Sequence, residues 1–140
     1  GVQNLFKWFK IVWEDRDYDS SYILKTLQFK IQNTRKLTER NQRSVGWEED
    51  VANMLRCEEL IQRLLDDNYA ELCGYDHDRI DISWIDAEGH PDCYEMLNKH
   101  PNLQTDEELS VIFNKAEELQ KSERAELFKI LEEHIQSWWD

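Results

Sequence analysis

Apolar positions recur every three or four residues along most of the 140-residue chain. That spacing gives a helix one buried stripe. In QNLFKWFKIVW, residues 3–13, Leu5, Phe6, Phe9, Val12 and Trp13 share one broad face, and Trp8 and Ile11 widen it. The pattern predicts a core helix with Lys7 and Lys10 on its polar side. In YILKTLQFKIQNTRKL, Leu24, Leu27 and Ile31 line one face with Ile23 beside them, while Tyr22 and Phe29 lie opposite. Apolar residues on two sides predict a helix packed between neighbours. After Gly46, WEEDVANMLRCEELIQRLLDDNYAEL carries Trp47, Val51, Met54, Ile61, Leu65 and Leu72 at helical period. Glu48, Glu49 and Asp50 load its start with acid, as a helix N-terminus prefers. Glu58 falls inside the stripe. A buried carboxylate is costly unless paired, so Glu58 is expected to meet an Arg or a capped backbone.

The helical period fails between residues 73 and 101. RIDISW alternates Ile80, Ile82 and Trp84 with polar residues and predicts a short strand. DAEGHPD is turn chemistry, and residues 92–99 are expected to form one or two helical turns. Thr105-Asp106-Glu107-Glu108 matches a capping box. From there Leu109, Phe113, Ala116, Leu127, Ile130, Leu131 and Trp138 keep nearly one angular phase, which predicts one long helix or two with a break near Lys121-Ser122. His134 lies on that apolar face and reads as a hydrogen-bonded core histidine. The whole reads as a mainly α protein. It is a bundle of long antiparallel helices with a small irregular or β-hairpin insertion near residues 73–101, forming a single helical domain over 1–140.

Between the first two helical stretches stands WEDRDYD, residues 13–19. Asp19 is placed to cap the following helix, with Asp15 and Asp17 favourable to its dipole and Arg16 neutralising one of them. A calcium loop counted from Asp15 finds ligands at Asp17 and Asp19. It then meets Ser20 where glycine is needed and Thr26 where glutamate is needed. Further on, TRKLTERNQR is a basic run. Arg35, Lys36, Arg40 and Arg43 complement a helix C-terminus or form an anion-binding patch.

The formal net charge of −13 changes the functional picture. So acidic a chain repels phosphate backbones, which argues against direct nucleic-acid binding, and it is steered toward basic partners. Three cysteines cannot all pair in one chain, and no signal peptide is recognisable, so a reduced, intracellular setting is expected. No apolar run approaches the roughly 18 residues of a membrane span.

Candidate chemistry is sparse. Cys73 and His77, followed by His90 and Cys93, form two close pairs of the type that encloses structural zinc. The competing reading is surface histidines and partly buried cysteines. No nucleophile elbow and no phosphate-cradling glycine loop occurs, and nothing local marks a Cys93–His100 pair as reactive. Glu48, Glu49, Glu58, Asp66 and Asp67 only loosely imitate the magnesium-binding acids of helical nucleotide pyrophosphatases, because Ala52 or Asn53 stands where a further acid belongs. Of the two terminal tryptophans, about 100° apart on a helix, Trp138 continues the core stripe. Trp139 is left to pack on the first helix or to meet a partner.

Two stretches carry a resemblance. WEDRDYDSSYILKTLQFK and LFKILEEHIQSWWD resemble a family of small, uncharacterised tailed-bacteriophage proteins, and CEELIQRLLDDNY is similar to their middle helix. The resemblance spans roughly 60 residues. It implies a phage accessory protein of the host bacterial cytoplasm and carries over no catalytic residue. The function expected is therefore non-enzymatic. A protein partner with a basic surface, such as a nucleic-acid-binding component of a bacterial defence system, would be bound by mimicry of phosphates. The recognising residues would be Asp76, Asp78, Asp81, Asp86 and Glu88, with Trp139. The alternatives are a structural homodimer formed through the first helix and the C-terminal tryptophans, a metal-dependent enzyme or small zinc module, and a protein that sequesters a signalling nucleotide at the Arg35–Arg43 region.

Overall fold

The computed structural model describes residues 2–3, 5–7, 21–79, 82–98 and 104–139, with the backbone alone at 82–85, 87 and 95–98. The elements are α1 (Ser21–Asn41), α2 (Trp47–Asp66), α3 (Tyr69–Leu72), a 3-10 turn (His77–Arg79), β1 (Ile82–Ala87), β2 (His90–Asn98) and α4 (Asp106–Trp139). The protein is mainly α, and the described residues include one two-stranded antiparallel hairpin. It divides into two compact units. A helical unit comprises Gly1–Asp67 and Lys121–Asp140, and a hairpin unit comprises Asn68–Gln120.

The helical unit is organised around α2. Met54, Cys57, Leu60 and Ile61 are fully buried together with Ile31 of α1 and Leu127 of α4, and Leu131 and Trp138 complete the cluster. Each large apolar side chain taken out of water contributes about 1.5–3 kcal/mol. Leu24, Leu27, Leu64, Leu65, Ile130 and Ile135 pack around this centre. Polar contacts fix the directions. The Gln28 amide donates to the Glu58 carbonyl and to Gln62 Oε1, while Arg35 reaches the Glu58 carboxylate. Ascending α1 therefore meets descending α2. Arg56 grips Glu126 at 2.8 and 2.9 Å, and Arg63 grips Glu123 at 2.8 and 2.7 Å, so α2 and the C-terminal part of α4 also run antiparallel.

Glu58 has the partner its position demands. Only 8% of it is exposed, and the Arg35 guanidinium holds it with two bonds, Nε to Oε2 at 2.5 Å and Nη2 to Oε1 at 3.1 Å. The third side of the guanidinium meets Glu39 at 3.0 Å. Arg35 is thus engaged by carboxylates rather than by the end of its own helix.

Several expectations are corrected. Ile23 is 69% exposed, not part of the α1 core face. Leu72 does not continue the α2 stripe, because the chain leaves the helix at Asp67 in the left-handed conformation (φ 47°), which Asp tolerates better than most residues. Leu5 and Phe6 have helical backbone but exposed side chains. The segment expected to form helical turns at 92–99 is strand β2 as far as Asn98, since pairing with β1 satisfies its backbone. Helix α4 runs unbroken through Lys121 and Ser122. The WEDRDYD cap, including Asp19, lies outside the described residues.

Two stability tests follow from the ion pairs. Arg35→Ala strands the Glu58 carboxylate and is expected to cost about 3 kcal/mol in urea unfolding, whereas Arg35→Met combined with Glu58→Leu restores most of that loss. An Arg35→Ala protein as stable as the parent would disprove the pairing. Glu126 is held below the usual carboxylate range by its hydrogen bonds to Arg56. Its contribution is present above its ordinary value and is lost as pH falls through the lowered one. The pair is half exposed, so Glu126→Gln is expected to cost under about 1 kcal/mol at pH 7. Parent and variant should converge in acid.

Candidate functional site

Charge is divided unequally between the units. Asn68–Gln120 contains 13 Asp and Glu residues against Arg79, Lys99 and Lys115, a net of −10. The helical unit, with 17 acids and 14 bases, carries only −3. In the helical unit the Arg35–Glu58, Arg56–Glu126 and Arg63–Glu123 pairs neutralise charge between helices.

The hairpin unit is tied by one buried amide. Gln104 donates from Nε2 to the Gly74 carbonyl at 2.8 Å and accepts at Oε1 from the Asp76 N–H at 3.1 Å. Gly74 turns the chain with φ +109°, a conformation open to glycine. Asp76 then accepts the Asp78 N–H at 3.0 Å and starts the 3-10 turn. Tyr75 sits edge-on to His77 and against Phe113 of α4. The capping box forms as its sequence predicts. The Glu108 N–H donates to Thr105 Oγ1 at 3.2 Å, and the Thr105 N–H donates to Glu108 Oε2 at 2.9 Å.

In the hairpin, Ile82 through Asp86 pair with Asn98 through Tyr94, and Ala87 pairs with His90. The change in register leaves Pro91, Asp92 and Cys93 as a three-residue bulge, at a point where proline has no N–H to contribute. The turn and bulge put Asp86, Glu88 and Asp92, all exposed, at one end of the hairpin.

The expected partner-binding residues fare differently. Asp78, Asp86 and Glu88 are exposed. Asp76 is half buried and works locally in the turn. Asp81 lies outside the described residues. Trp139, 50% exposed, belongs to the helical unit. Residues that sequence reasoning missed are Asp92, displayed by the bulge, and Gln104, whose role had no local signature.

The zinc quartet is not assembled. Among the described residues no three His, Cys, Asp or Glu side chains converge on an ion site. Cys73 closes α3, and His77 Nε2 lies 2.9 Å from Glu71 Oε1. His90 pairs next to the turn, while Cys93 lies in the bulge. Glu71 is held below its ordinary value by a backbone hydrogen bond and by His77. Cys57, Cys73 and Cys93 are free thiols. His134 is half buried and stacks on Trp138 with centroids 6.5 Å apart.

A second feature lies on the helical unit. Lys30, Asn33, Asn41 and Arg43 line a cleft of ≈ 530 Å³ with Trp138 and Trp139. Thr34 and Thr38 also line it, and their hydroxyls donate to the carbonyls four residues earlier at 3.0 and 2.9 Å. Their oxygens keep accepting capacity.

Compared with family models, with curated proteins and with solved structures, the chain gives no match. Among the described residues no helix is long and apolar enough to cross a membrane.

The thiols offer a direct test of this geometry. Burial, with the Glu126 and Glu58 carboxylates, pushes the Cys57 thiol up to about 12, so it stays protonated at neutral pH and unreactive. Ellman's reagent at pH 8 should modify exposed Cys93 rapidly and Cys57 only after unfolding. Rapid loss of the native Cys57 thiol, read by peptide mass spectrometry, would contradict the packing.

Proposed function

We propose that this is a non-enzymatic recognition protein whose hairpin unit binds a basic protein surface, presenting carboxylates where nucleic-acid phosphates would sit. The observation supporting this reading is the segregation of charge: ten of the thirteen net negative charges fall in Asn68–Gln120. Within that unit Asp78, Asp86, Glu88 and Asp92 are exposed. A one-signed surface accelerates encounter with an oppositely charged partner and disfavours the wrong ones. The resemblance to tailed-phage accessory proteins directs the proposal to a nucleic-acid-binding component of a bacterial defence system, met in the host cytoplasm. A second reading, self-association, is favoured by the exposure of Val2, Leu5, Phe6 and Trp139. A monomer by light scattering at micromolar concentration would remove it.

The test is affinity capture from phage-infected bacteria, followed by binding measurements on the captured protein. The partner is expected to be basic and to lose its nucleic acid when this chain binds. Affinity should fall about tenfold or more between roughly 0.1 and 0.5 M salt. Combined Asp78→Asn, Asp86→Asn, Glu88→Gln and Asp92→Asn substitutions should weaken it without unfolding the protein. A partner bound equally tightly at every salt concentration, or alongside its nucleic acid, would rule the mechanism out.

A further inference from the structure

The hairpin unit presents backbone as well as charge. β1 pairs with β2 without interruption from Ile82 to Asp86. In an antiparallel pair, alternate residues turn their N–H and C=O toward the partner strand, and the others turn them away. Roughly half of the residues in that run therefore direct both groups to the side of β1 opposite β2. Among the described residues the sheet has two strands, and no backbone group of a turn or loop bonds to β1. That row of donors and acceptors is thus unused within the described residues. Both members of the Asp86–Tyr94 cross-strand pair are exposed, so this end of the hairpin is open to an approaching chain.

The two strands differ in what they offer. β2 is interrupted by Pro91, which has no N–H, and by the bulge through Cys93. β1, with the sequence ISWIDA, has no proline, no lysine and no bulge, three of the devices that ordinarily guard an exposed strand. Its charge comes from Asp86, with Glu88 in the turn after it and Asp78 in the 3-10 turn before it, all exposed. A hairpin of two strands is marginal by itself and gains stability from a third.

We propose that the outer side of β1 takes up an extended basic segment of the partner protein as a third strand. This rests on the reading of the hairpin unit as the recognition surface and specifies what that surface binds. Backbone hydrogen bonds along Ile82–Ala87 supply affinity, while Asp86 and Glu88 select lysine or arginine. Charge decides the occupant. A second copy would set one unit of net −10 against another, and a neutral or acidic segment gains nothing from Asp78, Asp86 and Glu88. Basic arms that bind nucleic acid are commonly unfolded when free, so they can extend along a strand as a rigid folded surface cannot. Six residues of strand span about 20 Å, which sets the length of segment required.

The full chain should be titrated, by fluorescence anisotropy, with an octapeptide alternating arginine and valine. A second peptide of the same sequence has every backbone nitrogen methylated, so it keeps the charge and loses the donors. A third replaces each arginine by glutamine. The first is expected to bind about tenfold or more tightly than either of the others. Once bound, it should slow amide hydrogen exchange at alternate residues of Ile82–Ala87 about tenfold or more, with Asp92 and Cys93 unchanged. Combined Asp86→Lys and Glu88→Lys substitutions should weaken its binding about tenfold, with far-UV circular dichroism confirming the fold. Equal binding of the methylated peptide would overturn strand addition and leave charge-based recognition standing. Equal binding of the glutamine peptide would overturn both. Failure of all three peptides to bind, or protection confined to β2, would overturn this inference alone.

Discussion

A carboxylate inside a hydrophobic stripe constrains everything packed around it. Glu58 sits one turn from Met54 and close to Ile61, on the face of α2 that α1 must cover. Desolvating it alone would cost several kcal/mol, so α1 can dock only where it delivers a guanidinium. Arg35 does so, four residues after the fully buried Ile31 and therefore on the same helical face. That register places Leu24, Leu27 and Ile31 against the core. It also turns Lys30, Lys36 and Arg40 outward. The cationic outer face of α1 is thus a by-product of how the buried acid is satisfied.

The opposite side of α2 uses the same chemistry. Arg56 and Arg63 lie two helical turns apart and clamp Glu126 and Glu123, which fixes α4 along its partner. Bidentate guanidinium–carboxylate pairs specify geometry as well as charge. The helical unit therefore consumes much of its charge in holding its own helices, while the hairpin unit has too few bases to do the same. One chain consequently offers two unlike electrostatic surfaces.

Much of the helical architecture was legible in the residues. The stripe through Met54 and Ile61, the need of Glu58 for a partner, the Thr105 capping box and the separation of Trp138 from Trp139 all follow from period and local chemistry. What was not legible depends on non-local choices. Residues 92–98 became strand because β1 was available to pair with them. Leu72 left the helix because Asp67 accepts a left-handed backbone. The acids Asp78, Asp86 and Glu88 could be proposed from exposure-prone composition, but Asp92 required knowledge of a register shift. The zinc reading failed because spacing along the chain does not ensure convergence in space. The cleft joins α1 to residues nearly a hundred positions later, a proximity no local window contains.

The bulge has a consequence for assembly. A sheet of two strands is all edge, and unpaired strand edges invite pairing with other chains and growth into fibrils. Pro91 withdraws an amide from the rim of β2, the bulge breaks its straight repeat, and Asp86, Glu88 and Asp92 set like charges against any second copy. The acidity proposed for recognising a partner would, at the same place, keep identical molecules from stacking on one another.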